Sequence, residues 1–519
     1  MKYYIGVDVG TSGCRAVAFD EGFKTLAGAS KEYPTLSPRP GWAEQDPELI
    51  LASVTEVLKL VLASPAVRGE RPAAVGMATV MHSLIGLDEH GEPVTNAIIW
   101  ADLRAAEEAE WLKARYGTPE LYNRTGCPVH PMYLPAKVLW LKRKAPHVFS
   151  SIARIVSMKD YLISRLTGRF LVDQSIASAT GFLNIRTLKW DEFVLNAAGI
   201  DAGLLSEPVS PLTVVEGFTT DYARSQGLPA GVPVVLGATD GTLSNPGSGV
   251  VSPGQLAAMI GTSAAVRVTT GEPVLDPKAR TWCYYLVPGK WIPGGAANNG
   301  GNILRWYRDQ FGAREIEQAR AMGVDPYQLL SRRAAAVPPG SRGLIFLPFL
   351  AGERSPYWNP NTRGVLFGLH LGHGPDEVVR SIMEGVVFQL YSVYEALVEI
   401  TGQPAEARAS GGFVKSPEWL QIMSDTFGVP LVVPQVPEGS AFGAAALAMM
   451  ATGALEKLED VSRFIQIEKT VEPVSARTEI YRELYGIYMN IYRKLNPEFA
   501  QIAELQAGKR TGKRNEAAS

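Results

Sequence analysis

The sequence has few cysteines, and the three it has are scattered. Cys14, Cys127 and Cys283 form neither a Cys-x-x-Cys pair nor a cysteine–histidine ligand spacing. A disulfide framework and a structural zinc site are therefore not indicated, and this cysteine usage fits a reducing compartment. We expect a cytoplasmic protein.

The sequence also lacks a long apolar run and an excess of one charge. No apolar stretch approaches the roughly 18 residues of a membrane-spanning helix, and the start lacks the small-residue cleavage site of a signal peptide. Lys and Arg together number 50 against 52 Asp and Glu, so the formal charge is −2. This balance indicates neither nucleic acid nor an anionic membrane as a partner.

The length, in contrast, exceeds what one hydrophobic core normally needs. The chain has 519 residues, and single cores tend to stop growing beyond roughly 250–300 residues. With 46% apolar and 20% charged residues, the composition is that of a folded globular protein. Two large domains are the natural expectation.

The first residues predict a β-hairpin within a mixed α/β protein. The strand-like segment 3–9 precedes the glycine turn 10–13, and a second strand-like segment follows at 15–19. The apolar spacing of 47–62 predicts a helix, with Asp46 as its N-cap. Strand-like and helical segments then alternate, which is typical of α/β folds.

A second hairpin of the same kind follows near residue 250. Strand-like residues 255–260 lead into Gly261-Thr262-Ser263 and then into strand-like residues 264–268. One such unit opens each half of the chain, which favours an internal duplication. The intervening residues 241–254 are rich in Gly, Ser and Pro and are expected to connect the two halves.

The first hairpin turn has the composition of a phosphate-binding loop. Backbone N–H groups and hydroxyls of Gly10, Thr11 and Ser12 are suited to surround phosphate oxygens. Asp8 precedes the turn and is a candidate magnesium ligand acting through water. Arg15 follows it and is a candidate for stabilising charge on a transferring phosphoryl group. An ordinary hairpin turn is the alternative.

The second hairpin adds further candidates for nucleotide contacts. Gly261 and Thr262 repeat the pattern of the first turn, and together the two hairpins are predicted to hold a nucleotide. Gly301 and the pair Gly411-Gly412 offer places where backbone approaches a ligand closely, although each alone is also typical of a plain turn.

Asp240 is the candidate catalytic base. It follows the apolar strand-like segment 232–236, and a carboxylate at a strand end is well placed to accept a hydroxyl proton during phosphoryl transfer. Its alternative role is that of a turn residue or helix N-cap.

A polar and aromatic cluster in the first half is the candidate sugar site. Met81 and His82 form one part, and Trp100, Asp102 and Arg104 form the other. An aromatic platform beside a hydroxyl acceptor suits a sugar, whereas a lone histidine is more often a core residue.

Taken together, these segments resemble the FGGY family of carbohydrate kinases along nearly the whole chain, from about residue 3 to about residue 492. The resemblance rests on the order of eight motifs: 6–12, 81–82, 100–104, 137–141, Asp240, 351–356, 410–413 and 438–445.

The resemblance implies an α/β fold of two actin-like, ribonuclease-H-like lobes with a cleft between them. The expected domains are 1–247, which binds sugar, and 248–495, which binds ATP, followed by a helix end and flexible tail at 496–519. It implies that Asp240 deprotonates the attacking hydroxyl and that Asp8 organises Mg²⁺. Gly261, Thr262, Gly301, Gly411 and Gly412 would contact the nucleotide. The family often forms dimers, so a homodimer is one expectation.

Within the family, the segments 81–83, 100–102, 125–132 and 298–301 resemble the gluconate kinase branch, which implies phosphorylation of the 6-hydroxyl of D-gluconate. Xylulose kinases typically carry Gly and Asn where this chain has Ser83 and Ala101. A gluconate carboxylate needs cationic or N–H donors, and Arg104, His130 and Lys159 are the candidates. An Arg and a Lys at matching places also occur in kinases of neutral sugars, and a plain turn between prolines is the alternative role of His130. Xylulokinase, or a kinase of a related ketose or polyol, is the alternative.

Two alternatives from other classes remain at this point. A catalytically silent sugar-sensing protein would use the same fold, but this chain keeps Asp8, Thr11, Arg15 and Asp240. An ATP-driven binding protein of the heat-shock or actin type would have no use for the sugar cluster defined above.

Overall fold

The computed structural model describes residues 2–435 and 439–506, and these residues divide into two compact units. The first unit comprises 2–253, 269–293 and, as far as they are described, 435–466. The second comprises 254–268, 294–434 and 467–506. The units are therefore interleaved along the chain, whereas the domains expected from the sequence are contiguous. Glu438 of the last motif and the tail 507–519 lie outside the described residues.

Regular secondary structure accounts for most of the first 250 residues. The elements are β1 (Tyr3–Val9), β2 (Gly13–Asp20), β3 (Thr25–Glu32), β4 (Glu44–Gln45), α1 (Pro47–Leu62), β5 (Ala74–Thr79), β6 (Ile85–Leu87), β7 (Ala97–Ile98), α2 (Ala106–Tyr116), α3 (Thr118–Thr125), α4 (Leu134–Lys144), α5 (Pro146–Ser150), β8 (Arg154–Val156), α6 (Met158–Thr167), β9 (Leu171–Asp173), α7 (Gln174–Ser178), α8 (Glu192–Ala198), β10 (Glu207–Val209), β11 (Val214–Gly217), α9 (Asp221–Ser225), β12 (Val232–Thr239) and α10 (Asp240–Gly247).

The rest of the described chain contains further strands and longer helices. They are β13 (Gln255–Ile260), β14 (Ala264–Val268), β15 (Trp282–Val287), β16 (Lys290–Ala297), α11 (Gly301–Phe311), α12 (Ala313–Met322), α13 (Pro326–Ala335), β17 (Ile345–Leu347), β18 (Val365–Phe367), α14 (Pro375–Thr401), β19 (Glu406–Ser410), α15 (Pro417–Phe427), β20 (Leu431–Pro434), α16 (Gly439–Ala451), β21 (Ile467–Val471) and α17 (Ser475–Gln506).

The predicted first hairpin is confirmed and forms part of a six-stranded sheet. Strands β1 and β2 pair antiparallel from Tyr3 opposite Asp20 to Val9 opposite Cys14. The strand order is β11-β12-β5-β1-β2-β3, with β1, β5 and β12 parallel to one another. Parallel strands end at the same edge of a sheet, so the carboxyl ends of β1, β5 and β12 lie together.

Helices cover both faces of this sheet. Helix α1 begins where the sequence predicts, because Asp46 accepts hydrogen bonds from the backbone N–H groups of Glu48 and Leu49. Helix α16 packs against β1 and β5 so closely that a Cβ atom on Gly6 or Gly76 would collide with its backbone. Glycine in these two strands is thus required by the approach of a helix.

The second unit repeats the central pattern of the first. Strand β13 pairs antiparallel with β14 and parallel with β19. In the same way, β1 pairs antiparallel with β2 and parallel with β5. Six strands of its sheet follow the order β16-β14-β13-β19-β20-β21. The predicted internal duplication is thus visible in the pairing of the strands.

The connection between the halves differs in part from the expectation. Residues 241–247 belong to helix α10, although the stretch is rich in Gly, Ser and Pro. Thr239 accepts a hydrogen bond from the N–H of Thr242 and so begins the helix as its N-cap. Across residues 2–435 and 439–506, no helix is long and apolar enough to span a membrane.

Candidate active site

The first unit brings Asp8 and Asp240 to one edge of its sheet. Val9 of β1 pairs with Thr79 of β5, and Thr79 pairs with Thr239 of β12. Asp8 is therefore next to last in β1, and Asp240 directly follows β12 as the first residue of α10. Since neighbouring strands lie about 4.8 Å apart, the ends of β1 and β12 are separated by roughly 10 Å. Both carboxylates are half-buried.

Tyr33 lies near both carboxylates. Its hydroxyl donates a hydrogen bond of 2.6 Å to the carbonyl of Gly10 in the hairpin turn. Burial raises the pKa of Tyr33, and the charges of Cys14, Asp8 and Asp240 raise it further. The phenol therefore stays protonated, and its hydrogen bond to the Gly10 carbonyl fixes the hairpin turn.

The hairpin turn is also joined to the predicted sugar cluster. The indole Nε1 of Trp100 donates to the hydroxyl of Thr11 at 2.9 Å, and Nε2 of Gln45 donates to the Thr11 carbonyl at 2.5 Å. Ser12 and Arg15 are exposed at the same hairpin. Two motifs almost 90 residues apart in sequence thus form one surface of the first unit.

Asp102 and Arg104, close to Trp100 in sequence, form an ion pair that Glu44 extends. The guanidinium of Arg104 donates to both carboxylate oxygens of Asp102, at 2.9 and 2.7 Å, and to Glu44 at 2.6 Å. It also lies 3.7 Å from the ring centroid of Trp42. The Arg104 side chain is only 4% exposed. Direct contact of either residue with a sugar stays a prediction.

His82 belongs to a buried network of rings. It adopts a φ of 66°, and its Nδ1 lies 2.6 Å from the carbonyl oxygen of Ala179. Its Nε2 lies 3.5 Å from the hydroxyl of Tyr284, which in turn lies 2.8 Å from the hydroxyl of Tyr133. Met81, beside it, is half-buried. Since positive φ is costly for histidine, the ring is held in this place by its surroundings.

The buried side chain of Lys137 forms hydrogen bonds to both parts of the sugar cluster. Its Nζ donates to the carbonyls of His82, Ile98 and Ile99 at 2.6, 3.0 and 2.9 Å. Burial lowers the pKa of Lys137 to about 7. The carbonyls belong to the His82 segment and to the residues directly before Trp100, so one ammonium group fixes both.

Two of the candidates for a substrate carboxylate lie inside the protein. His130 is buried, and its Nδ1 accepts from the N–H of Met132 at 3.2 Å. Lys159 is also buried, and its Nζ contacts three carbonyl oxygens and the carboxylate of Asp173. The expectation that Lys159 meets a substrate carboxylate is therefore wrong, because protein acceptors already surround its ammonium.

The second unit contains a cavity of about 370 Å³ at its hairpin turn. This volume suits a small organic ligand such as a nucleoside. Gly261, Thr262, Gly301 and Gly412 of the predicted nucleotide site line it, with Gly411 adjacent in sequence. The other lining residues are Ile260, Asn302, Leu304, Arg305, Asp325, Tyr327, Gln328, Ser331, Met383, Phe413, Lys415, Ser416 and Trp419.

Close backbone approach explains the glycines of this cavity. The N–H of Gly301 donates to the carbonyl of Gly261 at 2.7 Å, and a Cβ atom on Gly301 would lie 2.7 Å from the same oxygen. Gly411 has a φ of 95°, and a Cβ there would collide with the carbonyl of Ile260. Gly301 also begins helix α11, whose N-terminal N–H groups favour an anion.

Glu353 holds the loop before helix α11. Its carboxylate accepts from the N–H of Asn298 at 2.9 Å, from Nδ2 of Asn299 at 2.9 Å and from the N–H of Arg354 at 2.7 Å. Burial raises the pKa of Glu353 to about 7. The motif at 351–356 thus fixes the loop that leads to Gly301 at the cavity.

Sequence reasoning missed several residues that the structure places at these sites. Tyr284 and its stacked neighbour Trp282 come from β15, far along the chain from the sugar cluster. Three of the four residues at 282–285 are aromatic, and this was a usable signal, because aromatic side chains are common in the lining of ligand pockets. Trp419 at the cavity had no comparable signal, because an apolar residue within a helix is usually a core residue, whereas Phe413 belongs to the motif 410–413.

The site lacks a ready-made metal cage. In the described part of the chain, no three or more His, Cys, Asp or Glu side chains gather into a metal-binding group. Mg²⁺ usually keeps several waters and binds one or two carboxylates together with substrate phosphates. The half-buried Asp8 beside a phosphate-type turn fits that mode of binding.

Comparison with known proteins agrees with these features. Residues 3–247 match the sequence model of the FGGY family of carbohydrate kinases, N-terminal domain, and residues 256–452 match its C-terminal domain. A gluconokinase from Bacillus subtilis is 38% identical over 508 residues, covering 98% of this chain and 99% of the relative.

Two solved structures from Lactobacillus acidophilus are also similar to this chain, each with a TM-score of 0.90 and 35% identity. One is a gluconate kinase, covering 96% of this chain and 99% of that one, and the other a ligand-bound xylulose kinase, covering 97% and 100%. The predicted two-domain α/β fold of the actin-like, ribonuclease-H-like type is thereby confirmed.

Proposed function

The chain belongs to the FGGY family of carbohydrate kinases, and from this premise we propose that it transfers the γ-phosphoryl group of ATP to the 6-hydroxyl of D-gluconate. The observation that carries the proposal is the full-length identity of 38% to a gluconokinase. The site agrees with it, because Asp8, Asp240 and the Trp100–Thr11 contact occupy one unit.

Asp240 is the proposed general base. Its carboxylate takes the proton of the 6-hydroxyl as the O6–phosphorus bond forms and the bond from phosphorus to the bridging oxygen of ADP breaks. The N–H of Gly241 donates to one Asp240 oxygen at 2.6 Å and so orients the carboxylate. Arg15 is proposed to stabilise charge on the transferring group.

The sugar acid is proposed to bind beside Trp100 and His82. Trp100 offers a flat apolar face, and its N–H is engaged by Thr11 of the hairpin. The ion pair between Asp102 and Arg104 supports the Trp100 segment, and Lys137 fixes that segment to the His82 segment. Met81 and His130 complete the proposed set of sugar-site residues.

ATP is proposed to bind at the cavity of the second unit. A volume of about 370 Å³, aromatic side chains and polar groups suit a nucleobase and ribose. Phosphates would meet the N-terminus of α11 and the backbone of Gly261, Thr262, Gly411 and Gly412, where glycine permits close approach. Gly10, Thr11 and Ser12 of the first hairpin are proposed as phosphate contacts too.

Mg²⁺ is the implied cofactor, and Asp8 is the residue proposed to hold it. When bound, the ion neutralises negative charge on the phosphates. Asp8 is separated from the hairpin turn only by Val9, so it lies close in sequence to the proposed phosphate contacts.

Xylulose is the alternative substrate, and the similarity to the ligand-bound xylulose kinase structure favours it. Two positions differ from the typical xylulose kinase pattern. Ala101 is exposed beside Trp100, whereas Ser83 is buried and its hydroxyl accepts from the N–H of Met158 at 2.9 Å. Ser83 thus acts inside the fold, and Ala101 is the position that bears on substrate choice.

A coupled assay of ADP release over D-gluconate, D-xylulose, L-ribulose and glycerol tests the proposal. We expect kcat/KM to be highest for D-gluconate. A preference for D-xylulose would overturn D-gluconate as the proposed substrate but would agree with the proposed kinase activity. Absence of turnover with every sugar would favour a sugar-sensing protein, and ATPase activity stimulated by peptide would favour a binding protein of the heat-shock type.

A further inference from the structure

Lys159 and Asp173 form an ion pair of 3.1 Å between side chains that are 0% exposed, behind the strand end that carries Asp240. We propose that this pair positions the Asp240 carboxylate for proton abstraction. The inference rests on the kinase function proposed above and adds two positioning residues to it.

The first connection runs through an irregularity in the sheet. The register between β12 and β5 shifts between Val235 and Ala238, just before Asp240. Gly237 lies within the shift with a φ of 69°, and a Cβ atom there would collide with the carbonyl of Met77. Such irregularities redirect a strand and are common next to active sites.

Lys159 supplies hydrogen bonds to both strands at this irregularity. Its Nζ donates to the carbonyl of Met77 in β5 at 2.9 Å, and to those of Leu236 and Ala238 in β12 at 2.6 and 3.1 Å. Ala238 is two residues from Asp240. A displacement of this strand end would therefore move the Asp240 backbone directly.

The second connection runs through helix α7. Asp173 is the N-cap of α7 and accepts from the N–H of Ile176 at 2.8 Å. Ser175 in the first turn of α7 accepts from the N–H of Thr239 at 3.3 Å, and its Oγ lies 3.1 Å from the hydroxyl of Thr242. Thr239 precedes Asp240 in the chain, and Thr242 follows it. The ion pair is therefore connected to the Asp240 segment both through strand β12 and through helix α7.

Stability alone gives a weak reason for this pair. Buried ion pairs often contribute little net stability, because desolvation of two charges offsets their attraction. Lys159 also lies in the first turn of α6, where the helix dipole disfavours a cation. A positioning role accounts for both residues, because a misplacement of about 1 Å at a catalytic group can cost roughly 100-fold in rate.

The test uses the double variant Lys159→Met/Asp173→Asn in the full chain. Removing both charges avoids leaving one of them buried alone, and Asn keeps the capping oxygen for α7. We expect kcat for D-gluconate to fall by about 100-fold. The Kd for D-gluconate, measured by calorimetry, should stay within about threefold of wild type, since the proposed sugar contacts are untouched.

Two controls separate positioning from general damage. Lys137 is also buried and also donates to three carbonyls, but at the sugar segments, so Lys137→Met should raise KM for D-gluconate and change kcat little. Lys144→Met, at the exposed end of α4, should leave both constants unchanged. A purely structural role of Lys159 would not produce this split.

The outcomes are distinct. A folded double variant with kcat within about threefold of wild type would overturn the inference, as would a parallel loss of kcat and of D-gluconate binding. If wild type itself does not phosphorylate D-gluconate or any other sugar, the proposed function fails and this inference fails with it. An active wild type with an unchanged double variant overturns the inference alone.

Discussion

The indole N–H of Trp100 donates a hydrogen bond of 2.9 Å to the hydroxyl of Thr11. Trp100 belongs to the predicted sugar platform, and Thr11 belongs to the predicted phosphate hairpin. A single contact thus joins the residues proposed to hold the acceptor sugar to those proposed to hold the phosphates. The first unit thus has one continuous surface that contains both sets of residues.

We predict that this hydrogen bond couples the two residues energetically during catalysis. Trp100→Phe keeps an aromatic face but removes the N–H donor, and Thr11→Val removes the acceptor. Each single variant should lower kcat/KM for D-gluconate by about 5- to 10-fold, because a net hydrogen bond contributes about 1 kcal/mol. The measurement is kcat/KM for both single variants and the double variant.

The double-mutant cycle supplies the control. If the bond matters, the double variant should lose less than the product of the two single losses, with a coupling of about 0.5–1.5 kcal/mol. Strict additivity would show that Trp100 and Thr11 act separately.

The second prediction concerns the base. Asp240→Asn removes the proton acceptor but keeps an oxygen that can accept from the N–H of Gly241, so the local backbone should be retained. We expect kcat to fall by about 100- to 10,000-fold, the range for loss of general-base catalysis. Calorimetric binding of D-gluconate should persist. Turnover near that of wild type would remove Asp240 from this role.

Local chemistry explains why parts of this structure were predictable. The hairpin of β1 and β2 has a glycine turn between two strand-like segments, and α1 has Asp46 at its N-cap and proline in its first turn. The sequence predicts close backbone approach at Gly301 and Gly411, and at both positions a Cβ atom would collide with neighbouring backbone. In each case a few adjacent residues contain the signal.

Other parts depend on contacts that adjacent residues do not encode. The residues next to Lys159 and Lys137 in sequence do not show that carbonyl oxygens surround each Nζ, because only the tertiary fold brings those carbonyls together. Similarly, Tyr284 reaches His82 because the segment 269–293 joins the first unit. Long-range burial decides these roles, so local patterns leave them open.

The third prediction concerns the cavity that is proposed to bind ATP. Gly301→Ala would place a Cβ atom 2.7 Å from the carbonyl oxygen of Gly261, which already accepts the Gly301 N–H. Since this neighbour is backbone, the hairpin and α11 must separate. We expect KM for ATP to rise at least about 10-fold, equivalent to about 1.4 kcal/mol, while the Kd for D-gluconate is unchanged.

Gly486→Ala is the matched control for that substitution. Gly486 lies on an exposed face of α17 with no atom near the position of an added Cβ. Alanine there should leave KM for ATP unchanged and stabilise the helix slightly. An unaltered KM for ATP in Gly301→Ala would contradict the nucleotide site.

The fourth prediction concerns stability and pH. Burial raises the pKa of Glu353 from its ordinary value of 4.5 to about 7. Between these pH values the folded chain holds a proton that the unfolded chain has released. The unfolded state binds fewer protons at Glu353 there, so the contribution of Glu353 to the free energy of unfolding should fall as pH rises from about 4.5 to about 7 and should stay level above that.

Glu353→Gln removes this titration, because an amide does not ionise in the range. Relative to the variant, wild type should lose up to about 3 kcal/mol of unfolding free energy between pH 4.5 and pH 8, as expected for a carboxyl whose pKa is raised from 4.5 to about 7. Denaturant unfolding of both proteins at several pH values measures this difference, and it cancels the contributions of all other carboxyls. A difference that stays constant with pH would contradict the prediction, because it would show that the pKa of Glu353 is close to its ordinary value. The three hydrogen-bond donors to Glu353 would then offset the effect of its burial, and a carboxylate would hold the loop before α11 at every pH above about 5.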